Sequence, residues 1–249
     1  MNRIRQDKIK EYIEREKEVT VKQLQALFPE VSLMTIHRDL DALVDAGLIV
    51  KFRGGAKSIH HAGDPEFNVR MRENTAGKMA IARKALTLIQ PNSAIFLDAS
   101  TTNLALARIL PDMNLNIFTT GPSVALELCK LNNPVVTLCC GTINRKNLAL
   151  SGQNTLEMLS NINIDLAFIG VSGCSVDAGF TCGTEGDMLV KRLVIRKARR
   201  SVVMCSSEKF SCLMPYTFAT LADVDYMITN APVPETFKQA AEEAATVIL

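Results

Sequence analysis

Tryptophan is absent from the 249 residues and aromatic side chains supply only 5% of them, so any core must be built mainly from aliphatic groups. Nowhere does an apolar run approach the ~18 residues that a membrane span requires. The first residues, MNRIRQDKIKEYIEREKEV, are charged throughout and contain no apolar signal core, which points to a soluble cytoplasmic protein without membrane partners. An excess of charge of one sign is also missing. The net +2 comes from 28 basic and 26 acidic residues, too even for composition to imply a polyanion partner, so any basic surface has to be local. The seven cysteines, Cys129, Cys139, Cys140, Cys174, Cys182, Cys205 and Cys212, include no C-x-x-C pair. The three histidines, His37, His60 and His61, lack metal-site spacing. Buried thiols in a reducing compartment are expected, with no metal and no cofactor. Neither G-x-x-x-x-G-K-[ST] nor G-x-G-x-x-G occurs, which argues against a nucleotide site. The 47% hydrophobic and 22% charged residues that are present suffice for two globular cores.

The first sixty residues have the organisation of a small helical domain. Ile9, Tyr12 and Ile13 recur at helical spacing and predict a helix from about Arg5 to Glu16. Thr20-Val-Lys-Gln23 has the form of a capping box and opens a second helix, with Val21, Leu24, Leu27 and Phe28 inward and Pro29 as its stop. Ser32 is a suitable cap for a third, in which Leu33, Ile36, Leu40, Leu43 and Val44 form the inward stripe and Gly47 ends it. Met34, Thr35, His37, Arg38 and Asp41 are left facing outward. Leu48, Val50 and Phe52 then alternate with Lys51 and Arg53 as in a half-buried strand, Arg53-Gly54-Gly55 supplies a turn, and Ala56 to Ile59 return. Helix, tight turn, capped helix and basic hairpin in this order describe a winged helix-turn-helix, whose second element reads the major groove of double-stranded DNA. Ser32, Met34, Thr35, His37 and Arg38 are the candidate reader residues, and Lys51, Arg53 and Lys57 the candidate phosphate contacts.

The pattern Val31-Ser32-x-x-Thr35-Ile36-x-Arg38-Asp39-Leu40-x-x-Leu43-x-x-x-Gly47, followed by Arg53-Gly54-Gly55-Ala56, resembles the amino-terminal domain of the DeoR family of bacterial transcriptional repressors. That family usually shows two consecutive arginines after Thr-Ile; here the first position is His37. The expected domains are residues 1–57 as the DNA-binding domain, 58–74 as a polar linker containing Gly63 and Pro65, and 75–249 as the larger domain.

In the larger domain, strand-like runs at Ala94–Leu97, Asn116–Thr119, Val135–Cys139, Leu166–Ile169, Ser201–Cys205 and Tyr226–Thr229 alternate with helical patterns at Thr101–Leu110, Pro122–Leu131 and Glu185–Ala198. The alternation predicts an α/β domain, a mostly parallel sheet covered by helices on both faces. Small hydroxyl residues and glycines follow the strands at Asp98–Asn103, Thr119–Ser123 and Cys140–Thr142. They leave backbone N–H groups facing an anion at the carboxyl edge of the sheet, where ligands of such sheets bind.

Residues 76–229 resemble the effector domain of the same family, which is related in fold to ribose-5-phosphate isomerase. The resemblance implies that the Asp98-x-Ser100-Thr101-Thr102 loop, usually with glycine at position 100, cradles a sugar phosphate with Thr120, Gly121, Gly141 and Gly152. It also implies roles for Gly170, Glu185 and Lys209. The family's Asp-x-Ser-Lys is Ser206-Ser207-Glu208-Lys209 here. The implied function is a regulator, a repressor in the family's manner, of carbohydrate-metabolism genes, not an enzyme, binding repeated half-sites as a homodimer or homotetramer and released by a phosphorylated sugar. The alternative is a sugar-phosphate isomerase using Asp98 or Glu185 as general base and Lys209 as electrostatic partner. A third reading makes the large domain purely an oligomerisation unit. The carboxyl-terminal FKQAAEEAATVIL is expected to form a helix.

Overall fold

The computed structural model describes residues 2–45, 48–52, 54–58, 66–210 and 212–249. The expected roles of Gly47, Arg53 and the His60-His61 pair lie outside the described residues. The chain divides into two compact units, Met1–Gly63 with Phe210–Leu213, and Asp64–Lys209 with Met214–Leu249.

The smaller unit comprises α1 (Asn2–Glu16), β1 (Glu18–Thr20), α2 (Val21–Leu27), α3 (Leu33–Asp45), β2 (Ile49–Phe52) and β3 (Gly55–Ser58). Thr20 forms the capping box, its hydroxyl accepting from Gln23 N at 3.2 Å while Gln23 Oε1 accepts from Thr20 N at 2.7 Å. Ser32 Oγ accepts from Thr35 N at 3.2 Å and so starts α3. The core is Ile9, Ile13, Leu24, Phe28, Ile36, Leu40, Leu43 and Ile49. Three residues expected inward are instead exposed, Leu27 at 44%, Leu33 at 53% and Val44 at 37%. The reason is geometric: Ile36, Leu40 and Leu43 already form the buried ridge, Leu33 opens the helix one turn ahead of it, and Val44 stands about 100° around from Leu43. The wing is a three-stranded antiparallel sheet in the order β1-β3-β2. The third strand was not expected from the hairpin pattern. It packs so closely that a Cβ on Gly55 would stand 2.2 Å from Val19 O, leaving room only for glycine. In β2, Ile49 is the buried residue, and Val50 and Phe52 are half-buried.

The larger unit is a seven-stranded sheet with strands β4 (Ala94–Leu97), β5 (Asn116–Thr119), β6 (Val135–Leu138), β9 (Ile164–Gly170), β12 (Ala198–Met204), β14 (Tyr226–Ile228) and β15 (Val247–Ile248). Their order is β15-β14-β12-β9-β4-β5-β6, and every pairing is parallel. Its helices are α4 (Phe67–Arg72), α5 (Thr75–Leu86), α6 (Thr101–Ile109), α7 (Pro122–Leu128), α8 (Gln153–Ser160), α9 (Glu185–Lys197) and α10 (Glu235–Glu243). Two small antiparallel additions were not expected: the hairpin β7 (Thr142–Asn144) and β8 (Ala149–Ser151), and the sheet of β10 (Gly173–Ser175), β11 (Gly179–Cys182) and β13 (Tyr216–Ala219). The core joins Ile95, Leu97, Ile117, Phe168, Val202 and Ile228 of the sheet to Ile81, Leu104, Leu106 and Leu128 of the helices.

The 58–74 stretch is not linker throughout. Residues 67–72 form α4, which buries Phe67 and is tied at its start by Phe67 N, donating to Lys146 O at 2.8 Å. The single buried aromatic and that tie seat α4 on the larger unit, which polarity alone did not reveal. No helix among the described residues is long and apolar enough to cross a membrane.

Candidate functional site

Strand order sets the position of the site. From β4 the chain winds outward through β5 and β6, then returns to the other side of β4 and winds through β9, β12, β14 and β15. The reversal falls between β4 and β9, and in open parallel sheets the crevice at the carboxyl ends of the two strands flanking such a reversal is where ligands bind. A narrow cleft, partly open to solvent, lies there, lined by Asp98, Ala99 and Ser100 after β4, Gly170, Val171 and Ser172 at the end of β9, Arg70 of α4, Asn147 and Ala149 of the β7–β8 hairpin, and Asp187 and Lys191 of α9.

Asp98 organises this cleft. Its Oδ1 accepts from Ser100 N at 2.9 Å and Asn103 Nδ2 at 2.8 Å, and its Oδ2 accepts from Gly170 N at 2.8 Å. Lys191 Nζ stands 3.4 Å from Asp98 Oδ2 and 3.1 Å from Asp187 Oδ2, and donates to Gly170 O at 2.7 Å. The ammonium is almost wholly enclosed; burial alone would lower its pKa, but Asp187 and Asp98 outweigh that and raise it, so Lys191 stays charged. Asn103 Nδ2 also donates to Phe168 O at 2.8 Å, which pins α6 to β9. Gly170 is required by contact: a Cβ there would stand 2.4 Å from Ser100 Cβ.

Ser100 caps α6, its Oγ accepting from Asn103 N at 3.1 Å. The hydroxyl that replaces the family's usual glycine is thus spent on the cap, and the backbone, at φ −73°, needs no glycine. The amides of Thr101 and Thr102, first and second in α6, find no acceptor among the described residues. They are donors at the positive end of the helix, beside a cleft that also holds Arg70 and Lys191.

Of the expected effector residues, Asp98, Ser100 and Gly170 line the cleft. Thr101 and Thr102 are buried in the first turn of α6. Thr120 and Gly121 follow β5, where Thr120 O accepts from Leu150 N of β8 at 2.9 Å and Gly121 N donates to Thr119 Oγ1 at 3.0 Å; they support the hairpin. Gly141, at φ 144°, allows Cys140 O to accept from Thr155 Oγ1 at 2.5 Å, a contact that a Cβ would destroy. Gly152 is exposed at the cap of α8. Glu185 is exposed at the start of α9, and the carboxylate facing the cleft is Asp187, two residues on. Lys209, in a 3-10 turn at Ser207–Lys209, is half-exposed and outside the cleft lining. The unusual Ser206 and Glu208 form a separate network: Ser206 Oγ donates to Glu208 Oε1 at 2.7 Å, and Glu208 Oε2 accepts from Asn74 Nδ2 at 2.6 Å. Asn74 in turn caps α5, so these departures hold the start of a helix. Arg70, Asn147, Asp187 and Lys191 carry no signal in the sequence pattern, because three distant segments bring them together.

In the smaller unit, Met34 is 65% exposed and His37 and Arg38 also face outward, with Thr35 half-buried and Ser32 committed to the cap. Between them, Asp39 turns inward, 1% exposed, and accepts from Arg5 Nε at 2.5 Å and Gln6 Nε2 at 3.1 Å. This pair fixes the reader helix against α1 and had no signal in the outward pattern. Lys57 is half-buried on β3, and Lys51 forms an ion pair with Asp41 at 2.6 Å.

A capped helix that presents Met34, His37 and Arg38 outward, braced by a small winged sheet and joined in one chain to an α/β unit with a polar cleft at its switch point, defines a DNA-binding transcription regulator with a sensor domain. The model of the DeoR-like helix-turn-helix domain matches residues 5–62, and that of the DeoR C terminal sensor domain matches residues 73–231. Similar curated proteins include the HTH-type transcriptional regulator GolR of Listeria innocua, 31% identical over 96% of this chain and 95% of its own. The HTH-type transcriptional repressor GlcR of Bacillus subtilis is 30% identical over 89% and 86%, and the L-fucose operon activator of Escherichia coli 31% over 81% and 84%. The chain belongs to the DeoR family of transcriptional regulators. Among solved structures, ribose 5-phosphate isomerase A of Methanocaldococcus jannaschii aligns over 53% of each chain with a TM-score of 0.39 and 16% identity.

Proposed function

We propose that the protein is a repressor of carbohydrate-metabolism genes that binds its operator as a homodimer or homotetramer and is released when a phosphorylated sugar occupies the switch-point cleft. The observation that carries the effector reading is the pair of unpartnered amides of Thr101 and Thr102 beside a cleft holding Arg70 and Lys191. Donors fixed at a helix start need no reorganisation to receive phosphate oxygens, and Asp187 and Asn147 offer an acceptor and a polar amide for sugar hydroxyls. The Bacillus subtilis relative is a repressor, while the Escherichia coli relative is an activator. Release from DNA follows if the effector favours an arrangement that spaces paired reader helices poorly for their half-sites.

The isomerase alternative is disfavoured by the state of the carboxylates. Asp98 accepts three hydrogen bonds and faces Lys191, leaving no oxygen poised to take a substrate proton, and Glu185 lies outside the cleft lining. A thermal-shift screen with sugar phosphates tests the effector reading. At least one should raise the melting point of the larger unit, and none doing so would favour a purely oligomeric role.

A further inference from the structure

α4 is weakly built for an element at the rim of a binding cleft. It has six residues, too few to be a stable helix alone, and Phe67 is its one buried side chain. Half-buried Met71 packs against the core beside it, and polar ties fix both ends of the helix. At its start Phe67 N donates to Lys146 O at 2.8 Å, and Phe67 enters the core. At its end Lys78 Nζ of α5 donates to the carbonyls of Arg70 and Glu73, the latter at 2.8 Å. Lys78 is only 6% exposed, and burial together with nearby Lys209 pushes its pKa down to about 8. Holding an ammonium there works against the seating it provides.

The ties adjoin the cleft. Lys146 is followed by Asn147, which lines it, and Arg70, whose carbonyl Lys78 grips, lines it from the other side with its Nε shielded from solvent. A guanidinium presents a planar fork suited to phosphate oxygens. An anion held by Arg70 would therefore add a further tie to a marginally attached helix, and α4 is the first described element after the DNA-binding unit in the chain. Resting on the reading of the cleft as a phosphate-bearing effector site, we propose that Arg70 contacts the effector and that α4 is a latch whose seating tightens on occupancy, with Lys78 as its positioning residue. Effector binding and the start of the tether to the DNA-binding unit are then linked through one short helix.

The test uses full-length protein with glycerol 3-phosphate, ribose 5-phosphate, glucose 6-phosphate, fructose 1-phosphate and inorganic phosphate as probes. Affinity is read by calorimetry and local opening by amide hydrogen exchange. The tightest-binding probe should slow exchange across residues 68–73 at least tenfold more than across β12. Arg70→Gln should weaken that probe's binding at least tenfold. Lys78→Met should speed exchange of the same amides without ligand, leave β4 and β9 unchanged, and reduce the ligand-induced protection. Wild-type affinity in Arg70→Gln, or unchanged wild-type exchange in α4 on saturation, would overturn the latch while leaving the effector reading intact. Failure of every probe to bind the wild type would instead overturn the effector reading and the latch with it.

Discussion

Asp98→Asn tests whether that residue is the bracket of the cleft. The amide keeps the shape and loses one acceptor, and its two orientations differ. With the NH₂ group toward Ser100 N and Asn103 Nδ2, two donors now 2.9 and 2.8 Å from Oδ1 lose their acceptor. With it toward Gly170 N, one donor at 2.8 Å is unmet and Lys191, 3.4 Å away, loses one of its two carboxylates. The second is cheaper. An unmet buried donor costs about 1–3 kcal/mol. Breaking a buried ion pair costs about 3–5 kcal/mol, but Lys191 keeps Asp187 at 3.1 Å and Gly170 O at 2.7 Å, so only part of that applies. A loss of about 3 kcal/mol lowers the transition of a domain of this size by roughly 6–12 °C. Scanning calorimetry should show that fall in the sensor transition. A shift below about 3 °C would refute the bracket and return Asp98 to the role of a ligand contact with solvent-like freedom.

Four further outcomes are expected. Arg38→Ala should weaken operator binding by about 1–3 kcal/mol in a gel shift if the side chain reads a base, whereas Lys57→Ala should mainly lower the salt slope, by about one; unchanged binding in both would refute the groove assignment. Thr101→Asp should leave DNA affinity intact and abolish the sugar-phosphate response, because it sets a carboxylate beside the amides; a retained response would contradict the site. Asp39→Ala should remove the carboxylate that accepts from Arg5 and Gln6 and loosen α3 from α1, lowering the melting point of the DNA-binding unit and its operator affinity together, and a change in affinity alone would count against a bracing role. Lys78 has a folded pKa of about 8, below the 10.5 of a free lysine, so between those values the unfolded chain binds more protons. Stability relative to Lys78→Met should therefore rise with pH across that window; a fall there in comparative melting curves would contradict the burial argument.

The parallel sheet was legible because strands buried on both faces read as short apolar runs, AIFL at Ala94–Leu97 and NIFT at Asn116–Thr119, each followed by polar turn residues. The capping boxes and caps of Thr20 and Ser32 were equally plain, because they depend on neighbours three residues apart. The hairpin β7–β8 was hidden by strands of three residues, and α4 by a stripe reduced to Phe67. α5 escaped because its buried face is Gly77, Lys78, Ile81, Ala82 and Ala85, in which Ile81 is the one large apolar residue and the periodic contrast is slight. Asp98, Ser100 and Gly170 could be placed by strand ends. Arg70, Asn147 and Asp187 could not, because their meeting depends on how segments some 30 to 120 residues apart fold over the switch point, which no local spacing records. The inward turn of Asp39 was invisible for the same reason, since its partners lie in α1.

The central claim joins a DNA reader to a phosphate-sensing cleft, and a nuclease-protection experiment on DNA upstream of the protein's own gene, titrated with the sugar-phosphate panel, tests both ends at once. The account predicts a protected pair of half-sites, on adjacent turns of the duplex or a whole number of turns apart, that is lost at saturating concentration of one phosphorylated sugar and persists with its unphosphorylated form. Protection that no phosphate relieves, or that the unphosphorylated sugar relieves equally well, would contradict it.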